Sequence, residues 1–75
     1  MKGKLMKTIK SPMAGTIWKI TSAVGDKVDY GDTVAILESM KMEIPIEADN
    51  AGTIVRFLVK EGEVVDDGTL LVELS

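Results

Sequence analysis

The 75-residue sequence contains no cysteine and no histidine. Without cysteine there is no disulfide staple and no thiolate site. Without histidine, the usual metal ligand and the usual acid/base group of neutral pH are both missing. Aromatic residues are scarce, with one each of Trp, Tyr and Phe, and proline occurs twice. No apolar run approaches the ~20 residues that span a bilayer, and the N-terminus has no continuous apolar signal-peptide core. The expectation is a cytoplasmic protein without a membrane partner. A chain this short forms one domain, here residues 1–75, with a small core worth typically ~3–5 kcal/mol net. Without staples, its stability rests on efficient packing or a closed sheet.

Positive charge is sparse beyond the start of the chain. Lys2, Lys4, Lys7 and Lys10 stand together without an acid, leaving five of the nine basic residues to face all twelve acidic ones. The acidic body repels nucleic acid, so no nucleic-acid partner is expected. The basic start reads as solvation of a first strand or as a flexible tail over residues 1–7.

Helical spacing is never sustained over three turns, whereas β-branched residues and turn formers alternate throughout. Residues 5–10 read as a short strand ended by Ser11-Pro12, because Pro12 lacks a donor and pushes Ser11 towards an extended conformation. Gly15–Ile20 reads as a second strand. Gly25-Asp26 and Tyr30-Gly31-Asp32 read as turns around a very short strand at Lys27-Val28. Thr33–Ser39 reads as a longer strand. Met42, Ile44 and Ile46 alternate with Glu43, Pro45 and Glu47, the period of a half-buried strand, and Pro45 points to an edge or a bulge.

The second half repeats the first. Ala14-Gly15-Thr16-Ile17 recurs as Ala51-Gly52-Thr53-Ile54, a shift of 37. The same shift maps Gly25 onto Gly62, Val28 onto Val65, Asp29 onto Asp66, Gly31 onto Gly68 and Leu37 onto Leu74 without a gap. Two copies of one unit account for this, each a strand, a turn, a very short strand, a turn and a longer strand. So many short strands suit an all-β domain of two small packed sheets, or a flattened barrel with quasi-twofold symmetry.

The repeat places Met40-Lys41 at the reversal between two apolar strands. Two-residue hairpin loops favour Asn-Gly or Asp-Gly, so Met-Lys is a poor choice by propensity and points to side chains selected for another purpose. Three roles compete for Lys41. A Schiff-base or general-base lysine needs burial or a neighbouring cation, but a hairpin tip is exposed and its nearest charges are Glu38 and Glu43. A solvated tip, with Met40 and Met42 as adaptable packing, is the simplest role. A rigidly displayed amine for a modifying enzyme is the third.

The stretch Glu38-Ser39-Met40-Lys41-Met42-Glu43 resembles the attachment motif of biotinyl domains, usually Glu-Ala-Met-Lys-Met. Val24-Gly25-Asp26-Lys27-Val28-Asp29-Tyr30-Gly31-Asp32 looks like that family's Gly-Asp-x-Val-x-x-Gly pattern. Glu61-Gly62-Glu63-Val64-Val65-Asp66-Asp67-Gly68 is its downstream copy. The resemblance runs from about Thr8 to Leu74 and extends, in length, to short free-standing biotin/lipoyl attachment proteins. It implies a flattened barrel of two four-stranded antiparallel sheets, a barrel-sandwich hybrid. It also implies biotin carried covalently on Lys41, placed there by a biotin protein ligase that reads Glu38, Ser39, Met40, Met42 and Glu43. The implied carrier is non-catalytic and takes carboxyl from a biotin carboxylase to a carboxyltransferase, the chemistry residing in cofactor and partners. A monomer is expected.

One residue departs from the pattern. Ser39 stands where biotinyl domains usually have Ala, and Glu38-Ser39 also fits the Glu-(Ser/Thr)-Asp-Lys-Ala pattern of lipoyl domains. Met40 and Met42 do not fit it, which favours biotin over lipoate. A lipoyl or dual carrier is therefore the second reading, and an unmodified β-sandwich interaction module the third. Trp18 and Phe57 read as core or partly exposed packing. Asp29, Asp32, Asp66 and Asp67 lack the dense spacing of a calcium loop and read as turn residues, so no metal is expected.

Overall fold

Val, Ile and Thr at alternating positions build strands, and the computed structural model, which describes residues 7–75, contains eight of them. In chain order they are β1 (Lys7–Lys10), β2 (Gly15–Ile20), β3 (Lys27–Val28), β4 (Thr33–Ser39), β5 (Met42–Glu47), β6 (Gly52–Phe57), β7 (Val64–Val65) and β8 (Leu70–Leu74). Among the described residues there is no helix. Leu5 and Met6 of the expected first strand lie outside the described residues, as does the expected tail up to residue 6. Lys7, read both as the end of the tail and as strand, is the first residue of β1, and its Nζ donates to the Ala51 carbonyl at 2.7 Å.

The strands form two four-stranded antiparallel sheets, in the orders β1-β8-β6-β3 and β5-β4-β2-β7. A shift of 37 converts one order into the other, strand for strand. It also carries the register across: Ile17 faces Leu37 as Ile54 faces Leu74, and Ile20 faces Ala35 as Phe57 faces Val72. The bulges follow suit, falling between Ile17 and Lys19 in β2 and between Ile54 and Arg56 in β6. Turn hydrogen bonds do the same. Gly25 N–H donates to Ile54 O at 2.9 Å and Gly62 N–H to Ile17 O at 2.6 Å, so each half's turn is latched to the other half's strand. Quasi-twofold symmetry is thus a property of the backbone hydrogen bonding.

The repeat is larger than its sequence signature. Each unit has a further strand, because β1 and β5 are also related by the shift: Lys7 faces Leu74 as Ile44 faces Leu37. Only Ile9 and Ile46 are identical between these two strands, so little in the sequence ties them together.

Most of the core consists of related pairs, each buried: Ile9 with Ile46, Ile17 with Ile54, Val28 with Val65, Val34 with Leu71, Ala35 with Val72, and Leu37 with Leu74; the buried Ala48 and Val59 answer to Ser11 and Ser22. Removing such side chains from water is the main stabilising term. Gly15 and Gly52 permit the close packing. A Cβ on Gly15 would sit 2.6 Å from the Glu38 carbonyl oxygen, and one on Gly52 would sit 2.6 Å from that of Ser75.

The chain path sets the two ends of the molecule, whose long axis is 43 Å. β2 starts beside Glu38 at one end. The chain then runs the length of the molecule to β3, which pairs with Gly52 and Thr53 at the other. Lys7, Leu74 and Ser75 share that second end, Lys7 facing Leu74 and Ser75 exchanging hydrogen bonds with Thr53. The hairpin joining β4 to β5 caps the first.

Candidate attachment site on the β4–β5 hairpin

The ladder between β4 and β5 runs unbroken to the tip, pairing Leu37 with Ile44, Glu38 with Glu43 and Ser39 with Met42. That leaves Met40 and Lys41 as the two residues of the turn. Both have positive φ, 53° at Met40 and 65° at Lys41, and they are the only non-glycine residues of the described chain that do. Positive φ at both central positions is what a type I′ hairpin turn requires. For a residue with a Cβ, the left-handed region costs roughly 1–2 kcal/mol. The poor turn propensity read from the sequence is therefore real backbone strain, held in place by the ladder below it.

The register also assigns the faces. Leu37, Ile44 and Ile46 point to the core side, and Met42 continues that face beyond the core, where it is 63% exposed. Glu38 and Glu43 lie directly opposite one another on the outer face, both exposed. Met40 is 92% exposed and Lys41 is exposed. No hydrogen bond or ion pair of the Lys41 side chain occurs among the described residues. The amine is thus displayed to solvent on a short, fully paired stem.

The six residues expected to form the site are contiguous, and the fold keeps them at one tip: Glu38 and Ser39 end β4, Met42 and Glu43 begin β5, and Met40-Lys41 join them. Two grooves lie away from the tip, one of about 420 Å³ between β1 and β5 and one of about 380 Å³ beside the Asp26–Lys27 turn. Among the described residues, no three His, Cys, Asp or Glu side chains come together as a metal site. One of the turn aspartates bonds to its own turn: the Asp32 carboxylate accepts from Asp29 N–H at 2.8 Å, matching its reading as a turn residue.

Two features of the surrounding surface depend on how the strands pair. Trp18 occupies the β2 bulge and is 45% exposed on the sheet that carries the hairpin, next to Lys19. Its counterpart in the other half, Val55, occupies the β6 bulge and is also exposed. Glu61 reaches from the second half to accept a hydrogen bond from Ile20 N–H at 2.9 Å. The single polar stretch Glu61-Gly62-Glu63 gives no local sign of that contact.

Comparison with known proteins places this geometry. A sequence profile of a family described as "Biotin-requiring enzyme" matches residues 7–74. The biotin/lipoyl attachment protein of Bacillus subtilis (strain 168) is 50% identical over 68 residues, covering 91% of this chain and 93% of that protein. The biotin carboxyl carrier protein of acetyl-CoA carboxylase from Pyropia yezoensis is 43% identical over 75 residues, covering 91% of this chain but 48% of that protein. Among solved structures, urea carboxylase of Kluyveromyces lactis superposes with a TM-score of 0.88 at 33% identity. All of this chain is covered, against 7% of that one. This chain therefore spans nearly the whole of the first, about half of the second and a small part of the third.

Proposed function

Because the chain belongs to the biotin/lipoyl attachment family, we propose that it is a non-catalytic biotin carrier whose acceptor is Lys41. A biotin protein ligase forms an amide between the biotin carboxyl and the Lys41 Nζ, which removes a charge and adds a flexible arm. The loaded arm then moves carboxyl from a biotin carboxylase site to a carboxyltransferase site. The observation that carries this reading is the strained turn. Two residues that disfavour left-handed backbone occupy it, and one of them presents a free amine.

The remaining residues take roles that follow from their places. Met40 and Met42 offer exposed, flexible thioethers on either side of the amine, suited to contact with several partners. Glu38 and Glu43 place two carboxylates on one face of the stem, and Ser39 closes the last ladder pair. When bound, biotin supplies the carboxyl-carrying chemistry. This chain supplies display, orientation and a rigid stem, so the tether raises the local concentration of the cofactor at each partner site.

Intact mass after incubation with a biotin protein ligase, biotin and ATP should show addition of one biotin, and Lys41→Arg should abolish it. Biotin appearing on the Arg variant would overturn the assignment.

A second reading, a lipoyl or dual carrier, is supported by Glu38-Ser39 and by the name of the Bacillus relative. Met40→Asp combined with Met42→Ala should shift acceptance from biotin towards lipoate, assayed by mass after incubation with each ligase. No shift would mean that the flanking methionines do not choose the cofactor.

A further inference from the structure

Methionine is the only sulfur-bearing residue in this chain, which has five methionines and no cysteine. Two of the five flank Lys41. Met40 is 92% exposed and Met42 63%, whereas Met13, in the β1–β2 connection, is 38% exposed. The left-handed turn holds Met40 at the outermost point of the hairpin, beyond the last paired residues. No thiol competes for an oxidant, and among the methionines of the described residues these two thioethers are the most open to a peroxide. Oxidation of methionine follows exposure and turns a flexible apolar side chain into a polar, chiral one.

We propose that Met40, followed by Met42, is a reversible oxidation site whose sulfoxide form blocks attachment at Lys41. The proposal rests on the reading of Lys41 as the acceptor amine. In the forward step a hydroperoxide transfers one oxygen to the thioether sulfur. The O–O bond breaks, the S–O bond forms, the sulfur gives up two electrons, and the peroxide leaves as water or an alcohol. In the reverse step a methionine sulfoxide reductase supplies two electrons from its thiols, and the oxygen leaves as water.

The blocking effect follows from the geometry. An enzyme that acts on the Lys41 Nζ must surround the tip, and it covers Met40 and Met42 in doing so. A covered thioether loses little hydration. A covered sulfoxide oxygen is a strong acceptor that must find a donor or remain unpaired. The fold itself is untouched, because neither side chain belongs to the core.

Trypsin makes the test specific. Cleavage after Lys10, Lys19, Lys27, Lys41 and Arg56 puts Met13, Met40 and Met42 in three different peptides, 11–19, 28–41 and 42–56. The unmodified chain is treated with graded hydrogen peroxide, and each peptide is followed by mass. Oxidation should be fastest in 28–41 and slowest in 11–19.

The rate of biotin transfer by a biotin protein ligase should fall about tenfold once 28–41 is fully oxidised, the loss of one apolar contact and the burial of one unpaired oxygen. It should recover after treatment with methionine sulfoxide reductases. Met40→Leu should remove most of the peroxide sensitivity, and Met42→Leu should leave most of it in place. Met40 oxidising no faster than Met13, or full oxidation of 28–41 with an unchanged transfer rate, overturns the switch. Failure of the reduced chain to accept biotin overturns the carrier reading instead, and the two results are told apart by the untreated control.

Discussion

Met40 and Lys41 hold a backbone conformation for which Asn-Gly is the usual solution. Replacing them by Asn-Gly should raise the free energy of unfolding by about 1 kcal/mol, read from urea denaturation, because the left-handed Cβ penalty is relieved. The same change should abolish biotin attachment. A loss of stability would show that the turn is not strained. Gly15 makes the opposite point. Its substitution by alanine forces a Cβ against the Glu38 carbonyl oxygen, directly below the hairpin.

The position of the tip was legible because the repeat brackets it and Met-Lys breaks turn preference. The bulge that carries Trp18 was not. A bulge is a mismatch between two strands, and neither strand alone encodes it. The Glu61 contact was equally hidden, since it joins residues 41 apart through a backbone N–H that has no sequence identity.

At the level of the strands, β4 and β5 form the stem and share one unfavourable pair. Glu38 and Glu43 face each other on the outer face, and like charges directly opposite are destabilising. Glu43→Lys should raise stability by about 0.5 kcal/mol in urea denaturation, with the gain shrinking in high salt. If stability is unchanged at low salt, the two carboxylates are already well enough solvated not to interact.

Of the edge or bulge to which Pro45 points, the edge is what the structure has: β5 is the edge of its sheet, with Pro45 opposite Ile36. The kinship of β5 with β1 escaped sequence reading for a physical reason. An edge strand commits few side chains to the core, so Ile9 and Ile46 alone are constrained to match. The interior strands β2, β4, β6 and β8 are constrained on more positions, and there the repeat shows.

Across the whole molecule, both halves contribute equivalent core positions. Leu37 and Leu74 are both completely buried and hold equivalent register positions. Each substitution by alanine should cost about 3 kcal/mol. That approaches the net stability expected of so small a core, ~3–5 kcal/mol. The two urea midpoints should shift alike. A clearly smaller loss at Leu74 would show that the half without the hairpin tolerates a cavity better.

The two ends of the long axis differ in kind. One bears Lys41; the other gathers Lys7, Leu74 and Ser75. An anchor applied at Lys7 or Ser75 therefore makes the folded body a boom. A small rotation about that anchor sweeps the amine through an arc whose radius is the separation of the two ends. Travel between distant stations is then supplied chiefly by the rigid protein, and the flexible side chain is left to make the final, short approach.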